Sequence, residues 1–176
     1  MSNMQALYQV FNRLTAQPEC QTCRLCEEHV GLVYLLGNEA DKAKHHQLPV
    51  LTTSNGVQYL GRTPHGWCSS FDPHKNTCGM YFDRPLCCRI YPLDLMKLDG
   101  KLWWVIHAEC PIAQRFKREH QMGVLAAMTL AMENILSEEQ LESWLVQDKT
   151  SQVIEAFTFD TSKVIKLRPY GESLGF

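Results

Sequence analysis

The stretch Cys20-Gln21-Thr22-Cys23-Arg24-Leu25-Cys26 decides how this chain folds. Two residues between successive cysteines let a chain curl around a metal so that the sulfurs converge on it. Three such thiolates in tandem, followed by a distant Cys-Pro, resemble the run that bacterial ferredoxins use for cubane clusters. Cys110-Pro111 supplies such a distant ligand. The pattern therefore predicts a metal held by thiolates.

The kind of metal follows less directly from the spacing. A structural zinc site more often draws two separated cysteine pairs, one from each of two knuckles. Only one knuckle-like run occurs here, so the pattern favours an iron–sulfur cluster of the 4Fe-4S type, with Zn²⁺ as the alternative.

A second block of cysteines comprises Cys68, Cys78 and the adjacent pair Cys87-Cys88. Because neighbouring side chains diverge along a backbone, we expect one of the pair to be a ligand or reactive thiol and the other a small buried hydrophobe. Eight thiols allow two four-thiolate sites, or one site with several structural cysteines. The count leaves both arrangements open.

Arg84 and Arg89 lie in the same segment and could offset the negative charge of thiolates around a metal. They could instead pair with nearby carboxylates, for which the candidates are Asp72, Asp83 and Asp94.

The amino-acid composition limits the classes of protein to which this chain can belong. The 176 residues are 45% hydrophobic, which suits a single domain over residues 1–176. A net charge of −2 argues against nucleic acid or an anionic membrane as a partner. We find neither a signal-peptide pattern nor an apolar run of about 18 residues, so we expect a cytoplasmic protein. Thiols stay reduced there, which favours metal over disulfides.

Turn and periodicity signals predict an α+β fold. Asn55-Gly56 and Asp99-Gly100 each separate apolar runs and predict two β-hairpins. Apolar periodicity predicts one long helix from about Ile112 to Leu136, with Gly123 as a candidate bend. The cysteine-cluster core would then span residues 20–111 and a C-terminal helical part residues 112–148. Further elements are expected as a strand at Gly31–Leu36, helices at Met4–Leu14 and Ser137–Val146, and one weak element at Val153–Phe159 before an irregular tail.

The second block resembles a known family. The motifs that carry the resemblance are Gly66-Trp67-Cys68-Ser69-Ser70-Phe71-Asp72, Cys78-Gly79-Met80-Tyr81 and Arg84-Pro85-Leu86-Cys87-Cys88-Arg89-Ile90-Tyr91-Pro92. Their order is similar to that of the CxxCxxCC cysteine-cluster family, described as zinc- or iron-chelating. The resemblance implies seven metal ligands at Cys20, Cys23, Cys26, Cys68, Cys78, Cys88 and Cys110.

Two positions depart from the family pattern. Glu27 stands where the family's N-terminal run has a further cysteine, and Cys87 is an additional thiol. Cys87, Glu27 or His29 could take the place of the missing ligand, since carboxylate and imidazole ligands suit either metal.

Three functions are compatible with these residues. The first is a metal-binding protein whose iron–sulfur cluster serves redox, sensing or substrate activation. The second is a structural zinc module that binds a protein partner. The third is a protein-modifying or thiol redox enzyme, in which Arg84 and Arg89 would lower the pKa of a reactive Cys87 or Cys88.

Overall fold

The largest sheet of the protein lies in the second half of the chain and has three antiparallel strands in the order β5-β6-β7. A computed structural model describes residue 23 and residues 25–28, 33–54, 56–134, 136 and 161–172. Helices alternate with short antiparallel hairpins through these residues, which confirms the predicted α+β class.

The elements follow one another in a simple order. They are α1 (Leu25–Glu28), α2 (Glu39–His45), β1 (Val50–Thr52), β2 (Gln58–Leu60), β3 (Phe71–Asp72), β4 (Thr77–Cys78), a 3₁₀ turn (Tyr81–Asp83), α3 (Leu86–Ile90), β5 (Leu93–Leu98), β6 (Lys101–His107), α4 (Pro111–Arg118), α5 (Met122–Glu133), a second 3₁₀ turn (Thr161–Lys163) and β7 (Val164–Pro169).

Both predicted hairpins form. Asp99 and Gly100 join β5 to β6 with φ angles of 52° and 77°, the positive values that a two-residue turn of this type needs. β1 and β2 pair in register from Val50↔Leu60 to Thr52↔Gln58, and Gly56 between them also has a positive φ. Asn55 lies outside the described residues.

The predicted strand at Gly31–Leu36 is only partly described, because Gly31 and Leu32 fall outside the described residues. Tyr34 forms an isolated antiparallel bridge with Tyr59, and the backbone nitrogen of Leu60 donates to the carbonyl of Val33 at 2.9 Å. The segment therefore runs alongside β2.

The long helix predicted at 112–136 is wrong, because two helices replace it. α4 ends at Arg118 and α5 begins at Met122. His120 has a φ of 57°, while the nitrogen of Gln121 donates to the carbonyl of Phe116 at 2.8 Å. This left-handed C-terminal cap ends α4, and apolar periodicity cannot reveal it. The bend is therefore not at Gly123.

The tail was predicted to be irregular after Phe159, and this is also wrong. β7 pairs with β6 from Trp103↔Pro169 to His107↔Val164, with a bulge between Trp104 and Val105. Lys166 and Arg168 interrupt its apolar residues and leave little strand signal. Three further predicted elements lie outside the described residues, namely Met4–Leu14, Ser137–Val146 and Val153–Phe159.

Two apolar clusters support these elements. The main core joins one face of the sheet to the helices, and the pairs Leu93↔Ile106 and Leu95↔Trp104 place four apolar side chains on that face. The second core is smaller. Its buried members are Val33, Leu35, Ala40, Ala43, Leu60 and Met80.

A buried ion pair ties α5 to the sheet. Arg168 of β7 pairs with Glu133 at the end of α5, and the two side chains are only 5% and 11% exposed. Trp104 Nε1 donates to the same carboxylate at 2.7 Å. The carboxylate thus accepts hydrogen bonds from two strands at once, which offsets much of its desolvation cost.

Within the part of the chain that the structure describes, no helix combines the length and the apolar character that crossing a membrane requires.

We predict that Arg168→Ala lowers the free energy of unfolding by about 3–5 kcal/mol, because it leaves the Glu133 carboxylate buried without its cation. Urea denaturation followed by tryptophan fluorescence measures this change. Lys44→Ala removes an exposed ion pair with Asp41 and serves as the control, with a loss of less than about 1 kcal/mol expected. Equal losses in the two variants would contradict a stabilising buried pair.

Candidate metal centre

No disulfide joins the cysteines that the structure describes, which are Cys23, Cys26, Cys68, Cys78, Cys87, Cys88 and Cys110. Cys20 lies outside the described residues. A reduced thiol that can lose its proton is the form that binds a metal.

Three of these thiols act electrostatically on the phenol of Tyr91, which directly follows α3. Burial raises the pKa of Tyr91, and the charges of Cys110, Cys26 and Cys23 raise it further. The three sulfurs therefore lie within electrostatic range of one phenol, although they come from the two ends of the predicted cysteine core. We call Cys23, Cys26 and Cys110 the Tyr91 thiol group.

Local structure explains the position of Cys110. It caps the start of α4, with Pro111 as the first helical residue, and it is 4% exposed. Its backbone nitrogen donates to the carbonyl of His107 at 3.2 Å. The end of β6 therefore delivers Cys110 to the main core.

An aromatic and carboxylate contact lies beside the Tyr91 thiol group. The rings of Tyr91 and His107 stack with centroids 5.1 Å apart. His107 Nε2 lies 3.3 Å from Asp94 Oδ2, which orients the imidazole. The phenol of Tyr91 thus stacks on an imidazole whose orientation Asp94 fixes.

The other four thiols border the second core. Cys68, Cys78, Cys87 and Cys88 are partly buried and contact the second core, which includes Met80. We call them the Met80 thiol group. The predicted ligands are therefore divided between two places, with Cys20 not described.

A short hairpin positions Cys78. β3 and β4 pair with Phe71 opposite Cys78, and the Cys78 sulfur lies 3.2 Å from Ser70 Oγ. The backbone of Gly79 donates to the carbonyl of Ser70 at 2.6 Å. A Cβ on Gly79 would stand 3.2 Å from that carbonyl, closer than an ordinary van der Waals contact, so a side chain would require the Ser70 carbonyl to shift.

The adjacent cysteines do not behave as expected. We predicted that the side chains of Cys87 and Cys88 diverge, yet their sulfurs are 4.0 Å apart. The Cys87 thiol also donates to the carbonyl of Tyr34 at 3.4 Å. Both residues lie in the short helix α3, and this contact with the 33–36 segment holds Cys87 toward its neighbour.

The expectation of a lowered pKa is wrong for Cys88. The hydrogen bond with the Cys87 thiol raises the pKa of Cys88, and burial raises it further. Burial also raises the pKa of Cys78, although the hydrogen bond from Ser70 opposes this effect. A thiol with a raised pKa is a weak nucleophile at neutral pH, so this geometry does not favour a reactive Cys88.

The two arginines lie beside the Met80 thiol group. Arg84 Nε donates to the carbonyl of Tyr81 at 3.0 Å, and its charge acts to lower the pKa of both Cys78 and Cys88. Arg89 Nη2 donates to the carbonyl of Phe82 at 2.8 Å. Asp72, Asp83 and Asp94 form ion pairs with Lys75, His46 and His107, respectively.

Sequence reasoning missed Glu39, a buried residue that positions the helix carrying Cys87 and Cys88. Its carboxylate oxygens accept hydrogen bonds from the backbone nitrogens of Leu36 and Leu86, both at 2.8 Å. Leu86 is the first residue of α3, where an acceptor satisfies an otherwise unpaired helical N–H. The only signal in the sequence is the position of Glu39 at the start of α2.

The donor chemistry fits zinc or iron, since both metals accept partly buried thiolates. Within the described residues, however, no three His, Cys, Asp or Glu side chains are arranged so that they could hold one ion. Binding would therefore need the sulfurs to move toward a common centre, with Cys20 a further donor to the Tyr91 thiol group.

Thiols from distant parts of an α+β chain are the mark of a cysteine-cluster domain, the class that the family match specifies as metal-binding. Residues 19–111, just over half of the chain, match the CxxCxxCC family, described as a "putative zinc- or iron-chelating domain". The chain belongs to this family, which confirms the resemblance drawn from its motifs. No curated protein and no solved structure matches it.

We predict that Glu39→Ala lowers the free energy of unfolding by about 1–3 kcal/mol, because the nitrogens of Leu36 and Leu86 lose their acceptor in a buried place. Denaturant titration measures the loss. Glu39→Gln keeps one acceptor oxygen and is expected to lose less.

Asp41→Ala provides the matched control on the same helix, because the Asp41 side chain is 80% exposed. A loss in Asp41→Ala as large as that in Glu39→Ala would show that charge at the start of α2, rather than the two hydrogen bonds, accounts for the effect.

Proposed function

We propose that this protein holds an iron–sulfur cluster of the 4Fe-4S type through Cys20, Cys23, Cys26 and Cys110, and that it does so in the cytoplasm. The observation that carries the proposal is that Cys23, Cys26 and Cys110 all act electrostatically on one partly buried phenol, that of Tyr91. The Cys20–Cys26 run with a distant Cys110-Pro111 is the spacing typical of cubane ligands.

Burial of Cys110, with Cys23 and Cys26 half-buried, supports a cluster that is partly kept from solvent. Cys110 belongs to the main core, and Tyr91 packs against the same core. Exclusion of water and nearby hydrogen-bond donors tune the potential of iron–sulfur clusters. When bound, such a cluster supplies electron transfer, a sensing response or the activation of a substrate.

The protein's own residues would define the surroundings of the cluster. Tyr91 stays protonated at neutral pH, because its pKa is raised from an already high ordinary value. It is therefore a neutral hydrogen-bond donor rather than another anion beside the thiolates. The His107 imidazole stacks on the Tyr91 ring, and its contact with Asp94 holds the imidazole in place.

The cytoplasmic part of the proposal is supported by the cysteine content. Eight cysteines that serve as metal ligands need a reducing compartment, because the thiolate is the form that binds a metal.

Protein purified without oxygen should contain iron and acid-labile sulfide, with the visible absorbance of a cluster. We expect Cys26→Ser and Cys110→Ser each to lose most of that iron, because the cluster loses a thiolate. Cys87→Ser makes the same chemical change outside the Tyr91 thiol group and should keep it. A colourless wild-type protein with stoichiometric zinc and no iron would overturn the proposal.

A structural zinc module that binds a protein is the second candidate. The small second core favours it, because few apolar residues hold the cysteine-bearing segment in place. Phe82 is 89% exposed and stacks edge-on against Tyr81, which offers an aromatic contact for a partner.

For this zinc module we predict that a chelator removes the metal and unfolds the cysteine-bearing segment, since metal affinity is then coupled to folding. Loss of backbone amide protection within residues 68–90, measured by hydrogen exchange, reports that unfolding. Amide protection in β5 and β6 is the internal reference, because the main core supports these strands. Full retention of protection in residues 68–90 after complete metal removal would count against the module.

A further inference from the structure

We infer that the 3₁₀ turn Tyr81–Asp83 is a docking site for an acidic segment of another protein, with the Phe82 ring as the apolar anchor. We call this turn the Phe82 turn. The inference rests on the second candidate function, a module that binds a protein, and it adds the surface and the chemistry of the partner. It does not depend on which metal the cysteines bind.

The Phe82 side chain is the first reason to expect a partner here. It is 89% exposed, whereas the other large apolar side chains on the surface of the described residues, Leu51, Tyr81 and Val124, are 39–52% exposed. The Tyr81 ring meets it edge-on, with centroids 5.6 Å apart, so the two rings form one aromatic surface. Burying such a surface against a partner is favourable, and aromatic side chains are frequent anchors of interfaces.

The backbone of the Phe82 turn is fixed before any partner arrives. Arg84 Nε donates to the carbonyl of Tyr81 at 3.0 Å, and Arg89 Nη2 donates to the carbonyl of Phe82 at 2.8 Å. The Arg84 guanidinium also lies 4.0 Å from the centroid of the Tyr81 ring. A surface that is ordered in advance loses little conformational entropy on binding. The Phe82 ring is therefore presented at a low entropic cost.

The charges that the structure describes beside the Phe82 turn are mainly positive. Arg84 and Arg89 donate to backbone carbonyls, which are neutral and do not cancel the charge of a guanidinium. Lys42 and Arg89 both act to lower the pKa of Asp83, which places them within electrostatic range of the turn. Asp83 itself pairs with His46 at 2.9 Å. The aromatic surface thus has a cationic rim.

This rim determines the class of partner. The whole chain has a net charge of −2, so the positive charge is a local feature of this surface. A second copy is disfavoured, because two-fold symmetry would bring the same cations of both copies together. Nucleic acid is disfavoured by the net negative charge of the chain. An acidic protein segment with apolar side chains satisfies both the rim and the exposed rings.

Binding of a synthetic peptide tests the inference. The probe is a fluorescently labelled peptide in which leucines alternate with glutamates, and fluorescence anisotropy measures its affinity for the full chain. The wild-type protein should bind it, and binding should weaken as the salt concentration rises. Phe82→Ala should bind at least about tenfold more weakly, whereas Phe82→Tyr keeps the ring and should bind as the wild type does.

The controls separate a specific surface from general stickiness. Val124→Ala shortens another exposed apolar side chain, on α5, and should leave the affinity unchanged. Arg84→Gln should lower the association rate and flatten the salt dependence. Because the Phe82 side chain is exposed, Phe82→Ala should unfold at the same denaturant concentration as the wild type.

Three results would overturn the inference. They are no binding of the glutamate peptide by the wild type, equal affinity in Phe82→Ala, and equal affinity for a peptide with lysines in place of the glutamates. Tighter binding of a single-stranded oligonucleotide that also requires Phe82 would overturn the choice of an acidic protein as partner.

Metal analysis of the same preparation distinguishes this inference from the proposed functions. Protein with stoichiometric zinc that does not bind the peptide would overturn the docking site and leave the zinc module standing. Protein without zinc that binds the peptide through Phe82 would overturn the zinc module and support the docking site.

Discussion

The thiol-bearing half of the protein depends on the buried carboxylate of Glu39. It bridges the nitrogen of Leu36, at the end of one extended segment, and that of Leu86, at the start of the helix that carries Cys87 and Cys88. Burial raises the pKa of Glu39, and the hydrogen bonds from Leu36 and Leu86 oppose that shift. A buried carboxylate stays ionised only when its hydrogen-bond partners offset much of the free energy of desolvation. Glu39 therefore fixes the distance between α2 and α3.

The two apolar clusters give the molecule two unlike halves. In the main core a sheet and three helices bury large side chains such as Trp104 and Leu125. The second core has two buried alanines and four larger buried side chains, with four thiols at its border. Stabilisation from apolar burial scales with the area removed from water, so the second half gains less from packing. Hydrogen-bonded polar side chains and thiols take the place of apolar packing in this half. They also supply the side chains that can bind a metal.

The sequence predicted the features that depend on local signals. Asp99-Gly100 and Gly56 mark hairpins because positive φ angles need particular residues, and both turns formed. Prediction from the sequence failed where tertiary contacts determine the local structure. His120 takes a left-handed conformation that few non-glycine residues adopt, and β7 is a strand because β6 offers it an edge. The candidate ligands could be named from spacing, but their division between two groups depends on the tertiary positions of Tyr91 and Met80, which spacing does not give.

The positions of Cys87 and Cys88 show how tertiary contacts can bring together two sulfurs that the motif alone would place apart. Adjacent residues point apart in an extended chain, so the sequence alone argues against both sulfurs meeting one ion. In a short helix whose first N–H is held by Glu39, and whose Cys87 thiol reaches the carbonyl of Tyr34, the same sulfurs stand 4.0 Å apart. Two tertiary contacts, and not the motif itself, therefore decide where the two sulfurs lie.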